Sequence, residues 1–251
     1  MSRHSPSGAP GPSRYGARME ERGGDQRIPR PPGSRPGGSA PWSELAPADR
    51  RFGLDVIRAR LAVPPPPVGP VIDVAGARDA AVLIPVYEVD GEAHVVLTKR
   101  PDTMPSHQGE IAFPGGKRDD ADPDLAATAL REAREEVGIE PADVEIVAEL
   151  DRIGTVASAF TITPFVGLLS GVPELVPHPF EVVDAFGVPV SELLGSDSYR
   201  EEIWDIFGAP RPMAFFELPG ETVWGATARI LTRLLSILTG TDSSHEPEWR
   251  S

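Results

Sequence analysis

The sequence predicts an α/β protein in which a mixed β-sheet carries helices on both faces. Two segments rich in β-branched residues, 79–89 and 93–100, have the composition of strands and precede a helical segment at 125–137. Further strand-like segments follow, and a second long helix is predicted at 221–238. Strands before and after a central helix, with another helix at the end, are typical of a mixed sheet that is covered on two faces.

Composition divides the 251 residues into four regions. Residues 1–40 contain 7 Pro and 8 Gly without hydrophobic periodicity, which predicts a disordered tail. Residues 41–70 are predicted to be an N-terminal helical segment followed by a stiff proline-rich connector. Residues 71–240 are long enough to bury a core and are predicted to be one domain. Residues 241–251 are predicted to be a flexible C-terminus.

The first elements are a short helix and a hairpin. Leu54, Ile57 and Leu61 fall on one side of a helix within residues 42–61. The two strand-like segments that follow are separated by Asp90-Gly91, a strong signal for a tight β-hairpin turn.

The central helix is the clearest single element. Residues 125–137 contain no Gly or Pro, and Gly138 follows as a C-cap. A short strand near 110–113 and a Pro-Gly-Gly turn precede it. After it, strands are predicted at 144–150, 160–169 and 182–190, and a long loop is predicted at 204–212.

Charge and composition limit the partners and the kinds of chemistry that are expected. The net charge is -14, and because residues 1–40 contribute +4 (7 Arg against 3 acidic residues), the rest carries -18. Such a body repels nucleic acid and anionic membranes, so neither is expected as a partner. Cysteine is absent, which excludes disulfides, thiolate nucleophiles and zinc–thiolate sites. Without an apolar run of about 20 residues or a signal-peptide core, we expect a cytoplasmic protein.

Three glutamates mark a candidate metal site. Glu132, Glu135 and Glu136 share one face of the central helix, where their like charges repel unless a cation neutralises them. Hard oxygen ligands on a rigid helix suit Mg²⁺ or Mn²⁺. The alternative is a solvated helix face in which Arg131 and Arg134 pair with these acids.

The Pro-Gly-Gly turn lies a short distance upstream of that helix. Gly115 and Gly116 allow a phosphate to approach the backbone without side chains in the way, although an ordinary turn has the same composition.

Taken together, these features resemble the Nudix box, the signature of hydrolases that cleave nucleoside diphosphates linked to another group. The matching residues are Gly116, Arg131-Glu132 and Glu135-Glu136-Val137-Gly138-Ile139. The upstream segments 97–100 and 107–116 resemble the extra motif of the coenzyme A pyrophosphatase branch. The resemblance covers about residues 79–194 and departs from the pattern at Asp122, where the general family has Glu, at Ala133, and at Pro101, where the branch has Ser.

The resemblance implies a Nudix-type α/β/α sandwich and a role for each matching residue. Glu132, Glu135 and Glu136 would bind the metal, and Arg131 would hold one of these carboxylates in place. The general base would be Glu135 in the box or Glu181 in a later loop; the alternative for Glu181 is an exposed loop acid. Substrate phosphates would meet residues near the turn, namely Arg100, His107, Gly115 and Gly116. For Arg100 and His107, ordinary strand-end and loop positions are the alternatives.

The activity implied by the resemblance is Mg²⁺- or Mn²⁺-dependent hydrolysis of coenzyme A or acyl-coenzyme A to 3',5'-ADP and 4'-phosphopantetheine. Two alternatives stay open: the same chemistry on ADP-ribose, NADH or a nucleoside triphosphate, and a Nudix module that binds a nucleotide without cleaving it. The expected partner is a small nucleoside diphosphate derivative, with a homodimer as one possible assembly.

Overall fold

The chain folds around two β-sheets, in a computed structural model that describes residues 22–63, 76–103, 108–155, 159–206 and 208–241. The helices in these ranges are α1 (Leu54–Leu61), α2 (Leu125–Val137), α3 (Val190–Leu193) and α4 (Gly225–Thr239). The strands are β1 (Arg35–Pro36), β2 (Arg78–Val89), β3 (Glu92–Lys99), β4 (Ile111–Ala112), β5 (Gly115–Lys117), β6 (Val144–Glu149), β7 (Ile153–Thr155), β8 (Phe160–Leu169), β9 (Asp184–Pro189), β10 (Tyr199–Ile206), β11 (Ala209–Leu218) and β12 (Glu221–Val223).

The large sheet is mixed, as the sequence predicts. Its main order is β4-β3-β2-β8-β6, with β5 beside β2, β7 beside β8 and β9 beside β3. Strands β2 and β8 run parallel, and the other pairs are antiparallel. The β2–β3 hairpin turns at Asp90 and Gly91, which both adopt positive φ, the backbone of the predicted tight turn.

Helices cover both faces of the large sheet. Helix α2 lies on one face, where Ala129 and Ala133 are fully buried in a core with Leu83 and Val96. The other face packs against α1, α4 and the second sheet, in a core that includes Leu231 and other apolar residues of α4. Of the helices in the described ranges, none has the length and apolarity that crossing a membrane requires.

The second sheet, of order β1-β10-β11-β12, corrects the long loop predicted at residues 204–212. Trp204 pairs with Arg211 across the β10–β11 hairpin. Pro210 and Pro212 favour a loop in the sequence, yet both lie in β11. The part of β11 that contains them does not pair with β12, so the missing proline N–H groups remove no hydrogen bond on that side of the strand. Helix α4 begins at Gly225 rather than at residue 221, because Glu221–Val223 form β12.

Residues 22–40 lie along this second sheet, in contrast to the disorder predicted for residues 1–40. Gly23 donates to the carbonyl of Leu218 at 2.9 Å, and β1 pairs with β10. Gln26 donates to Glu221 Oε2 at 2.6 Å and accepts from the Thr222 N–H at 3.1 Å. The segment is held by polar contacts and strand pairing, and neither produces the hydrophobic periodicity on which the prediction of disorder was based.

Residues 41–63 join the main core rather than standing apart from it. Trp42, Ile57 and Leu61 are almost fully buried in the same cluster as α4. Residues 1–21, the connector at 64–75 and residues 242–251 lie outside the described ranges, so the boundaries given for them stay predictions.

The close packing of α2 on the sheet is testable. Replacing Ala133 with Leu adds three carbons where the helix touches the sheet, and we expect the free energy of unfolding to fall by about 1–3 kcal/mol. Ala127→Leu is the control, because Ala127 is partly exposed on the same helix and is expected to change stability by less than about 0.5 kcal/mol. Urea unfolding measures both, and equal losses would contradict the packing argument.

Candidate active site

Helix α2 is built to present its glutamates in a fixed position. Asp124 caps its start, accepting a 2.8 Å hydrogen bond from the Ala127 N–H, and Gly138 ends it in the left-handed conformation at φ 73°. The small side chains on its buried face bring the helix axis close to the sheet. Glu132 and Glu136 are therefore held against the strand that follows Pro114.

Glu136 is the most buried of the three glutamates. Its side chain is 5% exposed, and Oε2 accepts a hydrogen bond from the Gly115 N–H at 3.1 Å. Burial is the largest influence on this carboxylate and raises its pKa to about 8; the Gly115 N–H and Arg100 oppose the rise, while Glu132 and Glu181 add to it.

The two glycines are required by packing, and they lie in a strand rather than in a free turn. Gly115–Lys117 form β5 and pair with β2. A Cβ at Gly115 would lie 2.4 Å from the carbonyl oxygen of Ala81, and a Cβ at Gly116 would lie 2.5 Å from Glu132 Oε1. Gly115 therefore lets the strand approach β2, and Gly116 leaves room for the Glu132 carboxylate.

Arg131 organises the carboxylates around it. Its Nη1 lies 2.9 Å from both Glu132 Oε1 and Glu135 Oε2. On the other side, Nε and Nη2 donate to the two oxygens of Asp122 at 3.0 and 3.1 Å. This fork keeps the guanidinium in one orientation and holds the pKa of Asp122 well below its usual range.

Asp122 contributes to the site, although the sequence analysis gave it no role. It is buried, and its Oδ2 also accepts hydrogen bonds from the Thr128 hydroxyl at 2.9 Å and the Asp119 N–H at 3.0 Å. The only signal for it was its place in the family pattern, since nothing in the spacing to Arg131 shows that the two side chains meet.

Arg100 lies on the side of the site that faces Glu136. It follows β3, its N–H donates to the Glu110 carbonyl at 3.0 Å, and its charge lowers the pKa of Glu136. Its Nε is buried and has no hydrogen bond partner among the described residues. A buried guanidinium N–H without an acceptor is suited to an anionic ligand.

Lys99, the cationic residue before Arg100, forms an ion pair with the second sheet. Its Nζ pairs with Glu221 of the second sheet at 2.8 Å. His107, the other residue expected near phosphate, lies outside the described residues.

The segment 175–183 brings Glu181 to the site. The N–H groups of Val176 and His178 donate to the carbonyls of Val137 and Glu136, at 3.0 and 2.8 Å, which joins the segment to the end of α2. Glu181 is exposed, yet its charge raises the pKa values of both Glu132 and Glu136. Glu181 is thus an exposed acid that lies near the helix glutamates, and its role as a base stays a prediction.

Glu135 lies on the outer side of this arrangement. Its side chain is 56% exposed and is paired with Arg131. The pKa of Glu132 is raised instead; burial is the largest influence, Arg131 opposes the rise, and the charges of Glu135 and Glu181 add to it.

The donor set fits a hard divalent cation in its chemistry. Burial and mutual repulsion raise the pKa values of Glu132 and Glu136, and a cation would relieve both effects. In the part of the chain that the structure describes, no three His, Asp or Glu side chains are already grouped to enclose a metal. Glu132 faces Arg131 and Glu136 faces the Gly115 N–H, so a metal ion would compete with those partners.

Both the sequence and the fold have counterparts among known proteins. The family model described as NUDIX domain matches residues 77–206. A Photorhabdus laumondii protein described as an uncharacterized Nudix hydrolase, NudL, is 37% identical over 179 residues, covering 71% of this chain and 93% of that protein. Arabidopsis thaliana Nudix hydrolase 22, chloroplastic, is 36% identical over 64% of this chain and 55% of its own length. A crystal structure of a MutT/nudix family protein from Enterococcus faecalis aligns with TM-score 0.44 and 12% identity, over 66% of this chain and 63% of that one.

The two glycines are expected to respond differently to the same substitution. Gly116→Ala pushes the flexible Glu132 side chain from its position, so the affinity for Mn²⁺ should fall by about 10- to 100-fold with little loss of stability. Gly115→Ala clashes with the β2 backbone and should lower the free energy of unfolding by about 1–3 kcal/mol. Calorimetric Mn²⁺ titration and urea unfolding separate the two effects; unchanged Mn²⁺ affinity in Gly116→Ala would contradict a metal role for Glu132.

The burial of Glu136 predicts a pH dependence of stability in the metal-free protein. Its pKa rises from 4.5 to about 8 on folding, so the folded state binds the proton more tightly than the unfolded chain between these values. The contribution is fully present below pH 4.5 and is lost as the pH rises through about 8.

We expect the free energy of unfolding in EDTA to fall by about 1–2 kcal/mol more between pH 6 and pH 8 in the native protein than in Glu136→Gln. Urea titrations at the two pH values measure this difference, and Glu140→Gln, which changes a half-exposed glutamate just after α2, is the matched control. Equal pH dependence in the native protein and Glu136→Gln would show that Glu136 is already ionised at pH 6.

Proposed function

The chain belongs to the Nudix hydrolase family, and from that premise we propose that it is a divalent-metal-dependent diphosphatase acting on coenzyme A or acyl-coenzyme A. Water and the substrate would give 3',5'-ADP and 4'-phosphopantetheine or its acyl derivative. One phosphoanhydride P–O bond breaks, and one P–O bond to the water oxygen forms.

One observation carries the diphosphatase assignment. Glu136 is buried against Gly115, with Glu132 and Glu181 in electrostatic range and a buried, unpartnered Nε on Arg100 nearby. Carboxylates that are costly to ionise next to a free guanidinium N–H suit a ligand pair made of a divalent cation and a phosphate group. A solvated helix face would leave these side chains exposed and would not need Gly116.

Glu132 and Glu136 would hold the cation, with Glu135 as a further ligand from the outer side. When bound, Mg²⁺ or Mn²⁺ neutralises diphosphate charge and lowers the pKa of a coordinated water. Arg131 keeps the Glu132 carboxylate oriented, because its own guanidinium is held by Asp122. Arg100 offers its Nε–H to a phosphate oxygen.

Glu181 is the better placed of the two candidate bases. Its carboxylate is exposed and close enough to influence both buried glutamates, so it can accept a proton from the attacking water. Glu135 is already paired with Arg131 through Oε2. We therefore assign the proton transfer to Glu181 and a supporting role to Glu135.

The choice of coenzyme A rests on the resemblance of residues 97–100 and 107–116 to the coenzyme A pyrophosphatase branch. Helix α2 and β5 specify the chemistry, whereas the substrate is selected by the loops around them. ADP-ribose, NADH and nucleoside triphosphates therefore belong in the same experiment as competing substrates.

The test is a chromatographic product assay with Mg²⁺ and, separately, coenzyme A, acetyl-coenzyme A, ADP-ribose, NADH and dGTP. We expect 3',5'-ADP to form fastest from the coenzyme A compounds and its formation to stop with EDTA. Glu136→Gln should lower kcat by about 100-fold or more, since outer partners of a metal site alone contribute about 10- to 100-fold.

Glu140→Gln is the matched control, because Glu140 pairs with Arg134 at 3.3 Å on the solvent side and should be active. Faster cleavage of another diphosphate would overturn the substrate assignment and leave the chemistry standing. Full activity of Glu136→Gln would overturn the metal site, and no turnover of any compound would favour a nucleotide-binding module.

A further inference from the structure

Exposed apolar side chains are concentrated in the part of the sequence that carries Glu181. Six large hydrophobic residues are exposed in the described part of the chain, and four of them fall within residues 172–183. These four are Val172, Val176, Phe180 and Val183. Phe180, the one aromatic residue among these six, is 81% exposed. Clusters of exposed apolar surface mark places where a ligand or a partner binds.

Phe180 is held outward by the backbone around it. The carbonyl of His178 accepts hydrogen bonds from the N–H groups of Glu181 at 3.1 Å and Val182 at 2.9 Å, so residues 178–182 form a closed turn with Phe180 in its middle. Val182 points into the core, and the His178 ring lies 6.0 Å from the Phe180 ring. The turn is anchored at both sides of Phe180, which fixes the backbone from which the exposed ring extends.

The same turn is tied to the catalytic elements. The N–H of His178 donates to the carbonyl of Glu136 at 2.8 Å, and the N–H of Val183 donates at 2.8 Å to the carbonyl of Lys99, the residue before Arg100. Glu181, between Phe180 and Val183, is in electrostatic range of Glu132 and Glu136. Phe180 and Val183 therefore stand at the rim of the site, on the two sides of the proposed base.

We propose that Phe180 and Val183 form an apolar subsite for the acyl-pantetheine arm of the substrate; this rests on the proposed function, which supplies a substrate with an apolar arm attached to its diphosphate. The acyl chain is joined to the diphosphate through the length of the pantetheine, so its subsite belongs at the rim of the site rather than at the carboxylates, and Phe180 and Val183 are exposed apolar side chains at that rim. The subsite selects for acyl chains and leaves the cleavage chemistry to the glutamates.

Charge disfavours a second copy of the chain as the occupant. A two-fold interface through Phe180 would place Glu181 and its neighbouring glutamates near their own symmetry mates. Like charges brought together at an interface oppose association. The acyl-pantetheine arm brings apolar surface without that repulsion.

The experiment compares kcat/KM for hexanoyl- and acetyl-coenzyme A, which differ by about four methylenes. A fully covered methylene contributes about fourfold, so partial coverage by a surface subsite should give a hexanoyl-to-acetyl ratio of about tenfold. Phe180→Ser should bring this ratio close to one, and Phe180→Leu, which keeps an apolar side chain, should retain most of it.

A matched pair of valine substitutions controls for general effects. Val183→Ala should lower the ratio by about two- to fourfold. Val56→Ala removes the same two methyl groups from an exposed valine of α1 and should leave the ratio unchanged. Because all of these side chains are exposed, the variants are expected to fold, and thermal unfolding verifies this.

Each outcome bears on the proposal. A ratio near one in the native protein, or an equal ratio in Phe180→Ser, overturns the subsite while the proposed function stands. Conversion of a dimer to a monomer by Phe180→Ser, seen by light scattering, overturns it in favour of a second copy as the occupant. Failure of the native protein to cleave any coenzyme A thioester in the presence of Mg²⁺ removes the proposed function and the named occupant together.

Discussion

The burial of the Glu136 carboxylate against the Gly115 N–H is the constraint on which the site depends. It joins α2 to β5 through a hydrogen bond of 3.1 Å and leaves a carboxylate whose pKa is raised to about 8. The Gly115 N–H is a hydrogen bond donor to this buried carboxylate, which otherwise lies in the field of further carboxylates and of Arg100, a guanidinium with an unpartnered Nε. The arrangement costs stability in the free protein and suits binding of a cation together with an anion, as a diphosphate site requires.

Arg131 and Asp122 form the rigid part of the same site. The two-pronged contact between them orients the guanidinium, and its Nη1 contacts Glu132 and Glu135. Asp122 is fixed in turn by Thr128 on the first turn of α2. The loop before the helix and the helix itself thereby hold one another, so the position of Glu132 follows from contacts on three sides, including the space left by Gly116.

The site has an acidic centre and an apolar rim, and both belong to segments tied to the end of α2. Backbone N–H groups within residues 175–183 donate to carbonyl groups at the end of α2, which a helix end leaves without partners in the helix. This contact places the segment that carries Phe180 and Glu181 next to α2. The second sheet contributes differently. It covers the other face of the large sheet, pairs Glu221 with Lys99, and provides the polar edge along which residues 22–40 lie.

Local signals in the sequence determined α2 with its glycine cap, the Asp90-Gly91 hairpin, and the shared face of Glu132 and Glu136, because each depends on periodicity or turn chemistry within a few residues. The order of strands and helices along the chain predicted the mixed sheet. The family pattern added the candidate roles of those glutamates. Only the tertiary structure decided that Gly115–Lys117 form a strand, that residues 204–212 belong to a hairpin, and that residues 22–40 lie on a sheet. It also decided that Asp122 meets Arg131 and that the backbone of His178 joins the end of α2, which brings Glu181 into electrostatic range of Glu136. These features rest on hydrogen bonds and charges between segments distant in the chain, and such contacts leave no periodic trace in either segment.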